Sequence, residues 1–241
     1  MKITLVRHAT LLLELDGRRL LVDPQLDDAG ARPPIDNTPN PRRNPLVPLP
    51  AALPADEVVR GLDAVVVTHR HRDHLDETAE RLLPRDVPVF CQPEDEEALR
   101  ALGLDARPVE DAVEWDGLAI ARTGGQHGTG RIAELLAPVS GFVLGRGDLY
   151  VAGDTIWCAD VEEAIARHRP RVAVVNSGGA RFLEGDAIVM TAEDVAEVAS
   201  RVPAVVAVHL EAINHCVVTR AEVRAAAPTA SVPEDGETIE L

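Results

Sequence analysis

The sequence predicts a protein of the α+β class, in which hairpins and buried strands combine with short amphipathic helices. Asp16-Gly17 and Asp116-Gly117 each separate two strand-like runs, which is the pattern of a tight hairpin turn. Other apolar, β-branched runs lead through a loop into a helix that starts at a proline or a capping residue. The 241 residues can bury a sizeable core and are predicted to form one domain, residues 1–241.

The first third of the chain is predicted to contain a hairpin, a long loop and a buried strand followed by a helix. Residues 24–54 hold nine of the eighteen prolines and show no hydrophobic period, so they are predicted to be a semi-rigid flap. The helix that follows the buried strand is amphipathic and is stopped by Pro84. The predicted elements are strands at 2–6, 11–15, 18–22 and 63–67 and a helix at 75–83.

The rest of the chain alternates short strands with short helices. We expect the three runs between residues 106 and 122 to be successive strands of one antiparallel sheet, and the last residues to close a sheet edge. The predicted strands are 88–91, 106–109, 112–115, 118–122, 139–144, 149–152, 171–175, 204–208 and 238–241. The predicted helices are 93–102, 159–169, one from 191 to about 201, and one that begins after Thr219.

Composition limits the classes of partner. The net charge of −16 and the pI near 4.8 argue against a nucleic-acid backbone as the main partner. The chain shows no signal peptide and no apolar run long enough to cross a bilayer, which predicts a cytoplasmic protein without a membrane partner. Its three widely spaced cysteines are predicted to be buried thiols in a reducing compartment. A small-molecule substrate fits best, and homo-oligomerisation is left open.

Four ligand-type residues fall within six positions, in the pattern His69-x-His71-x-Asp73-His74, directly after the buried strand 63–67. In an extended chain alternate side chains point to the same face, so His69 and His71 can bind one metal ion. Asp73 and His74 follow as the loop turns into the helix and would address a second ion beside the first. A solvated basic loop is the alternative, but it does not account for so dense a cluster.

This motif resembles the signature of the metallo-β-lactamase superfamily. The resemblance implies a four-layer αββα sandwich with one or two metal ions at one edge of its two sheets. It also implies three further ligands, namely a histidine, a bridging aspartate and a last histidine. His127, in a glycine-rich turn, would join His69 and His71, and Asp154, in Gly-Asp-Thr at a strand end, would bridge. His209, at the end of strand 204–208, would join Asp73 and His74.

The identity of the last ligand is open, because His215 lies only six residues beyond His209. The position of His209 at a strand end favours His209, and His215 would then contact the substrate. Asp73 is also a candidate to orient the nucleophile or pass on its proton.

The N-terminal region is similar to the superfamily branch that contains the ascorbate-phosphate lactonases. The features that carry this similarity are His8-Ala9 after the first strand and Asp23-Pro24 at the end of the hairpin, although Arg7 stands where that branch often has glycine. By resemblance, His8 lies near the site and is a candidate catalytic residue, while Asp23 orients a ligand histidine. The same stretch also resembles the start of the histidine phosphatases, but the strand and Asp-Gly hairpin that follow it do not fit them.

The resulting prediction is a metal-dependent hydrolase, in which a metal lowers the pKa of bound water and the resulting hydroxide attacks a small ester, lactone or phosphoester. Zinc suits the donors best, while manganese and iron are alternatives. An anionic substrate is expected because Arg32, Arg42 and Arg43 lie on the predicted flap. The alternatives are a phosphodiesterase or nuclease of the same fold, a di-iron redox protein, and a metal-binding protein without catalysis.

Overall fold

The computed structural model describes residues 1–241 as two mixed β-sheets, packed face to face, with helices on their outer faces. The first seven strands in the chain are short and mostly apolar. They are β1 (Lys2–Arg7), β2 (Thr10–Leu15), β3 (Arg18–Val22), β4 (Ala64–Val67), β5 (Pro88–Cys91), β6 (Asp105–Pro108) and β7 (Ala112–Trp115). The remaining six are β8 (Leu118–Thr123), β9 (Gly141–Leu144), β10 (Leu149–Val151), β11 (Val172–Asn176), β12 (Ala204–Val208) and β13 (Thr238–Glu240).

Seven short helices connect the strands. They are α1 (Ala55–Val58), α2 (Glu77–Leu82), α3 (Glu96–Ala101), α4 (Gly130–Leu136), α5 (Ala159–His168), α6 (Ala192–Ala199) and α7 (Arg220–Ala226). Capping boxes at Thr191 and Thr219 start α6 and α7, because each threonine hydroxyl accepts a hydrogen bond from a backbone N–H of the first turn. No helix combines the length and the apolar character that crossing a membrane would require.

The two sheets have related strand orders. The first runs β13-β1-β2-β3-β4-β5-β6, and the second runs β12-β11-β10-β9-β8-β7. Pairings from β3 to β6 and from β10 to β12 are parallel, and the others are antiparallel. As a result β1, β3 and β4 point the same way, as do β8, β10, β11 and β12. The carboxyl ends of these strands therefore come together at one edge of each sheet.

Three apolar clusters define four layers. One lies between the sheets and joins side chains such as Leu13 and Phe90 from the first sheet to Phe142 and Val174 from the second. The outer face of the first sheet packs against α1, α2 and α3, and that of the second packs against α5, α6 and α7. The predicted α+β class and αββα sandwich are thus confirmed.

One predicted sheet is wrong. The runs between residues 106 and 122 do not form one antiparallel sheet, because β6 pairs parallel with β5 in the first sheet, whereas β7 and β8 form a hairpin in the second. Helices α1 and α4 were not predicted. The former is four residues long and the latter begins at Gly130, so neither carries a long apolar period. The edge strand at the C-terminus is confirmed, since β13 pairs with β1.

Residues 24–54, which we call the strap, contain no helix or regular strand, as predicted. The buried Arg7 holds the strap from below, because its guanidinium donates to the carbonyls of Gln25, Asp27 and Val47. Asn214 holds it from the side through reciprocal hydrogen bonds with Asn44. Because hydrogen bonds fix so many of its backbone groups, the strap can form a stable wall of the protein.

Candidate metal centre

The predicted site residues collect where the parallel strands of both sheets end. Their common position follows from topology, since strands that run the same way bring their carboxyl ends to one edge. They follow β1 (His8), β4 (His69, His71, Asp73 and His74), β8 (His127), β10 (Asp154) and β12 (His209). Residues from distant parts of the sequence therefore meet in one buried cluster.

His69, His71 and His127 form a first group that could hold a metal ion, and they are the three histidines that the sequence analysis assigns to one ion. Their ligand atoms lie within 4.8 Å of one another, and His69 Nε2 is 2.9 Å from His71 Nδ1. The other ring nitrogen of His127 lies 2.7 Å from the carbonyl oxygen of Ile188 and donates to it. That contact fixes the ring, so the free Nε2 points at the cluster.

The second group contains Asp73, His74 and His209, together with His8. Asp73 Oδ2 is 3.7 Å from His209 Nε2 and 4.0 Å from His74 Nε2. His215 belongs to neither group, and its ring centroid is 6.3 Å from that of His209. The geometry therefore places His209, and not His215, among the donors.

Asp154 lies between the two groups, where a bridging ligand would lie. Its Oδ2 is 3.5 Å from His127 Nε2 and 3.2 Å from His74 Nε2, and its Oδ1 is 3.3 Å from His209 Nε2. Asn176, at the end of β11, donates to Oδ1 at 2.7 Å. The carboxylate thus faces histidines of both groups and is held in place by the amide.

Asp23 orients the histidine loop from behind. Its carboxylate accepts hydrogen bonds from the backbone N–H of Thr68 (2.8 Å) and from the hydroxyl of Thr68 (2.7 Å). It also accepts a hydrogen bond from His74 Nδ1 at 2.8 Å. A proton on His74 Nδ1 leaves the Nε2 lone pair free to face the cluster, which is the orienting role predicted for Asp23.

The electrostatics of the cluster favour a cation. Burial alone would raise the pKa of the Asp154 carboxyl, but His209, His74 and His127 hold that pKa well below its usual value. Burial would likewise lower the pKa of His74, but Asp154, Asp23 and Asp73 raise it well above its usual value. The carboxylates thus create a negative potential at the centre of a buried site.

The donor set fits divalent metal ions. The Nε2 atoms of His74 and His209 are buried and have no hydrogen-bond partner, although each lies close to an Asp154 oxygen. Such atoms are costly to bury unless something else accepts their lone pairs. Imidazole nitrogens with carboxylate oxygens are ligands that zinc and similar ions prefer, and a bridging carboxylate offsets the repulsion between two cations.

Sequence reasoning missed three supporting contacts. Asn176 belongs to no ligand-type motif, and its hydrogen bond to Asp154 depends on β11 lying beside β10. The contact from His127 to Ile188 uses a backbone carbonyl, so the type of residue at position 188 could not have predicted it. Cys216 Sγ lies 3.4 Å from His209 Nδ1, a contact that depends on how the loop after β12 folds back.

A cavity of about 310 Å³ opens onto the cluster. The strap provides much of its wall, and the rest comes from α4 and from the loops after β4, β8, β10, β11 and β12. Its apolar lining consists of Pro33, Pro34, Ile35, Pro45, Leu136, Phe182, Ile188 and Ile213. His71, Asp73, His127 and Asp154 lie on the cluster side of the cavity, and His215 also lines it. A volume of this size suits a small molecule.

The arginines of the strap do not supply free charge to this cavity. Arg32 lines it but pairs with Asp27 at 2.6 Å and with Glu77 at 2.8 Å. Arg42 and Arg43 are absent from the lining, and Arg43 donates to two backbone carbonyls of the strap. The expected meeting of these arginines with an anionic substrate group therefore has no support in their positions.

Comparison with known proteins places the chain in a family. The model of the β-lactamase superfamily domain matches residues 18–210. The Bacillus subtilis protein YddR, of the group UPF0173, is 35% identical over 254 aligned positions, which cover 99% of each chain. The solved structure of a possible metal-dependent hydrolase from Veillonella parvula superposes with a TM-score of 0.94 at 34% identity, over 100% of this chain and 99% of that one.

A second solved structure is the isothiocyanate hydrolase from Delia radicum gut bacteria. It superposes with a TM-score of 0.92 at 35% identity and again covers 100% of this chain and 99% of the other. These two structures align with the whole chain, whereas the family model matches residues 18–210 alone. The chain belongs to the β-lactamase superfamily, and it is a metal-dependent hydrolase with the metallo-β-lactamase fold.

Proposed function

We propose that the enzyme hydrolyses a small, uncharged electrophile with an apolar substituent, of the isothiocyanate type. The observation that carries this proposal is the apolar part of the cavity wall, formed by prolines, isoleucines, Leu136 and Phe182 beside polar lining residues such as Gln25, Asn44 and Asp76. Its inner arginine, Arg32, is neutralised by two carboxylates. An apolar wall gains free energy from an apolar group and offers little to compensate the desolvation of an anion.

The full-length similarity to an isothiocyanate hydrolase supports the same substrate class. In that reaction water adds across the C=N bond of R–N=C=S, with oxygen bonding to carbon and one proton going to nitrogen. The resulting thiocarbamic acid then breaks its C–N bond and releases the amine and carbonyl sulfide. Every atom of substrate and water is accounted for, and no oxidant or reductant is required.

Two divalent ions, with zinc as the best match to the donors, would be held by the two groups of histidines with Asp73 and Asp154. When bound, such ions lower the pKa of water toward neutrality and stabilise developing negative charge. The protein's own contribution is to fix the donors, exclude water through the strap, and hold the substituent against Ile35 and Phe182.

Asp73 and His215 are the proton-handling groups of the cavity in this proposal. The Asp73 side chain is 13% exposed and lines the cavity, so it can accept a proton from the attacking water. Burial lowers the pKa of His215 to about 4, and His215 is therefore neutral near pH 7. A neutral imidazole in the wall can hydrogen-bond to the substrate nitrogen without adding charge.

The test is turnover of benzyl isothiocyanate by the zinc-loaded protein, followed by quantifying benzylamine and carbonyl sulfide. We expect the two products in equal amounts, and no turnover by the chelated protein or by a His69→Ala variant. Metal-loaded protein that leaves benzyl isothiocyanate and its alkyl analogues intact would contradict the proposal.

A second candidate is the anionic ester or lactone expected from the sequence. One observation favours it, because Arg72 is exposed, lines the cavity and has no acidic partner within 4.0 Å. If this candidate is correct, a carboxylate-bearing lactone is turned over faster than benzyl isothiocyanate. Arg72→Gln then raises KM for the lactone alone.

A further inference from the structure

His8 occupies a strained turn that buries its ring inside the metal centre. It follows β1, is 0% exposed, and has a backbone φ of 60°, which is unusual for a residue other than glycine. The backbone N–H of His209 donates to the carbonyl of His8 at 2.8 Å. Such strain persists only where the surroundings determine the conformation, and here it brings the ring to within 3.6 Å of the His209 ring, centroid to centroid.

The His8 ring makes one polar contact. Its Nδ1 is buried without a hydrogen-bond partner, whereas its Nε2 lies 3.3 Å from Asp73 Oδ2. This is long for a hydrogen bond between a ring N–H and a carboxylate, and the comparable contact from His74 to Asp23 is 2.8 Å. The hydrogen bond to Asp73 is therefore too weak to account for the burial of His8.

The 3.3 Å between His8 Nε2 and Asp73 Oδ2 is a distance expected between two ligands of one metal ion. Neighbouring donors at about 2.05 Å from a zinc ion, separated by angles of about 90–120°, lie about 2.9–3.6 Å apart. The ligand atoms of His8, Asp73, His74 and His209 all lie within 4.8 Å of one another. All four residues bury their donors, and only Asp73 among them also lines the cavity.

We propose that His8 is a direct ligand of the second metal ion, beside Asp73, His74 and His209. With the Asp154 bridge, this ion would have five protein donors and no open position, and only the carboxylates of Asp73 and Asp154 among these donors line the cavity. The first ion has three histidines and the bridge, and two of those histidines, His71 and His127, line the cavity. Closed sites retain their metal, whereas sites with an open position perform chemistry. The inference rests on metal binding and not on the identity of the substrate.

The ligand count can be measured without any variant. Protein labelled with ¹⁵N-histidine and loaded with ¹¹³Cd shows scalar coupling between the metal and each bound ring nitrogen. The chain has eight histidines, and six of them lie in the donor groups, so we expect six coupled rings. His168 and His215 should be uncoupled. Five coupled rings, with His8 among the uncoupled ones, would overturn the assignment.

The variant His8→Asn then tests whether the sixth metal-coupled ring is that of His8. His8→Asn is suitable because asparagine tolerates a positive φ better than most residues, and His215→Asn is the matched control for a buried, uncoupled histidine. In His8→Asn we expect one coupled ring to disappear and the tighter of two zinc affinities to fall at least tenfold, with the weaker unchanged. His215→Asn should retain both affinities and all six couplings.

Other outcomes separate the failures. A fall in affinity without loss of a coupled ring means that His8 acts through Asp73, and this refutes direct ligation while leaving the hydrolase proposal intact. Two metal ions with equal affinity in the wild-type protein would refute the closed second site. A folded protein that takes up no cadmium or zinc would contradict the metal centre itself.

Discussion

Asp23→Asn is the substitution that tests most sharply how the metal centre is oriented. The Asp23 carboxylate accepts three hydrogen bonds, two from Thr68 and one from His74 Nδ1. An asparagine of the same shape has one acceptor oxygen and one NH₂ donor. If its oxygen keeps the Thr68 N–H, its NH₂ faces the Nδ1–H of His74. His74 can avoid that clash by moving its proton to Nε2, where it blocks the lone pair that faces the cluster.

The expected cost follows from the loss of this one orienting contact. Removing a partner that orients a metal ligand typically lowers metal affinity by about 10- to 100-fold, which corresponds to about 1.4–2.8 kcal/mol. The loss should be larger for the second ion, because His74 contacts Asp23 directly. His69 in the first group contacts Asp23 only through the Thr68 hydroxyl, which lies 3.0 Å from His69 Nδ1, and His127 is held by Ile188 instead. The affinity for the first ion should therefore fall less than the affinity for the second.

The assay is competitive zinc titration of the metal-free protein with a chromophoric chelator, supported by elemental analysis after dialysis. Asp63→Asn is the control, because Asp63 also accepts a backbone N–H, that of Arg19, but it is exposed and lies just before β4. It should leave both affinities unchanged. If Asp23→Asn binds two zinc ions as tightly as the wild-type protein, the Asp23 contact does not select the tautomer of His74.

Three further outcomes are expected. His209→Ala should lose one metal ion per chain together with activity, whereas His215→Ala should keep both ions and alter only steady-state kinetics; elemental analysis showing the reverse would reassign the last ligand. Arg7→Lys should lower the free energy of unfolding by about 1.5–3 kcal/mol and speed proteolysis of the strap, since lysine cannot span the carbonyls that Arg7 holds; unchanged urea denaturation would refute this. Replacing Arg42 and Arg43 together with alanine should change KM by the same factor for an anionic lactone and for benzyl isothiocyanate. A rise in KM for the lactone alone would show that these arginines attract an anionic substrate.

The donor cluster could be predicted from sequence because its signals are local. His69 to His74 form a dense motif, and the positions of Asp154 and His209 at strand ends are visible as apolar runs that stop at a ligand-type residue. The family resemblance then supplied the pairing between distant motifs. The structure brings all of these residues into one cluster and separates His209 from His215, a choice that sequence position favoured but could not decide.

The cavity could not be predicted because its character depends on long-range packing. Ile35 and Phe182 are far apart in the chain and share a wall only after the strap folds across the strand ends. The pairing of Arg32 could not be predicted for a related reason, since a sequence does not show that Arg32 is already paired with Asp27 and Glu77. The place of β6 in the first sheet likewise follows from the parallel register with β5 and not from its spacing to β7.

Anomalous diffraction from crystals of the zinc-loaded protein, recorded on both sides of the zinc absorption edge, would locate the ions that the two groups of donors hold. We predict two zinc peaks per chain, one among His69, His71 and His127 and the other beside Asp73, His74 and His209, with Asp154 between them. A peak outside these donors, or none within them at saturating zinc, would contradict the account.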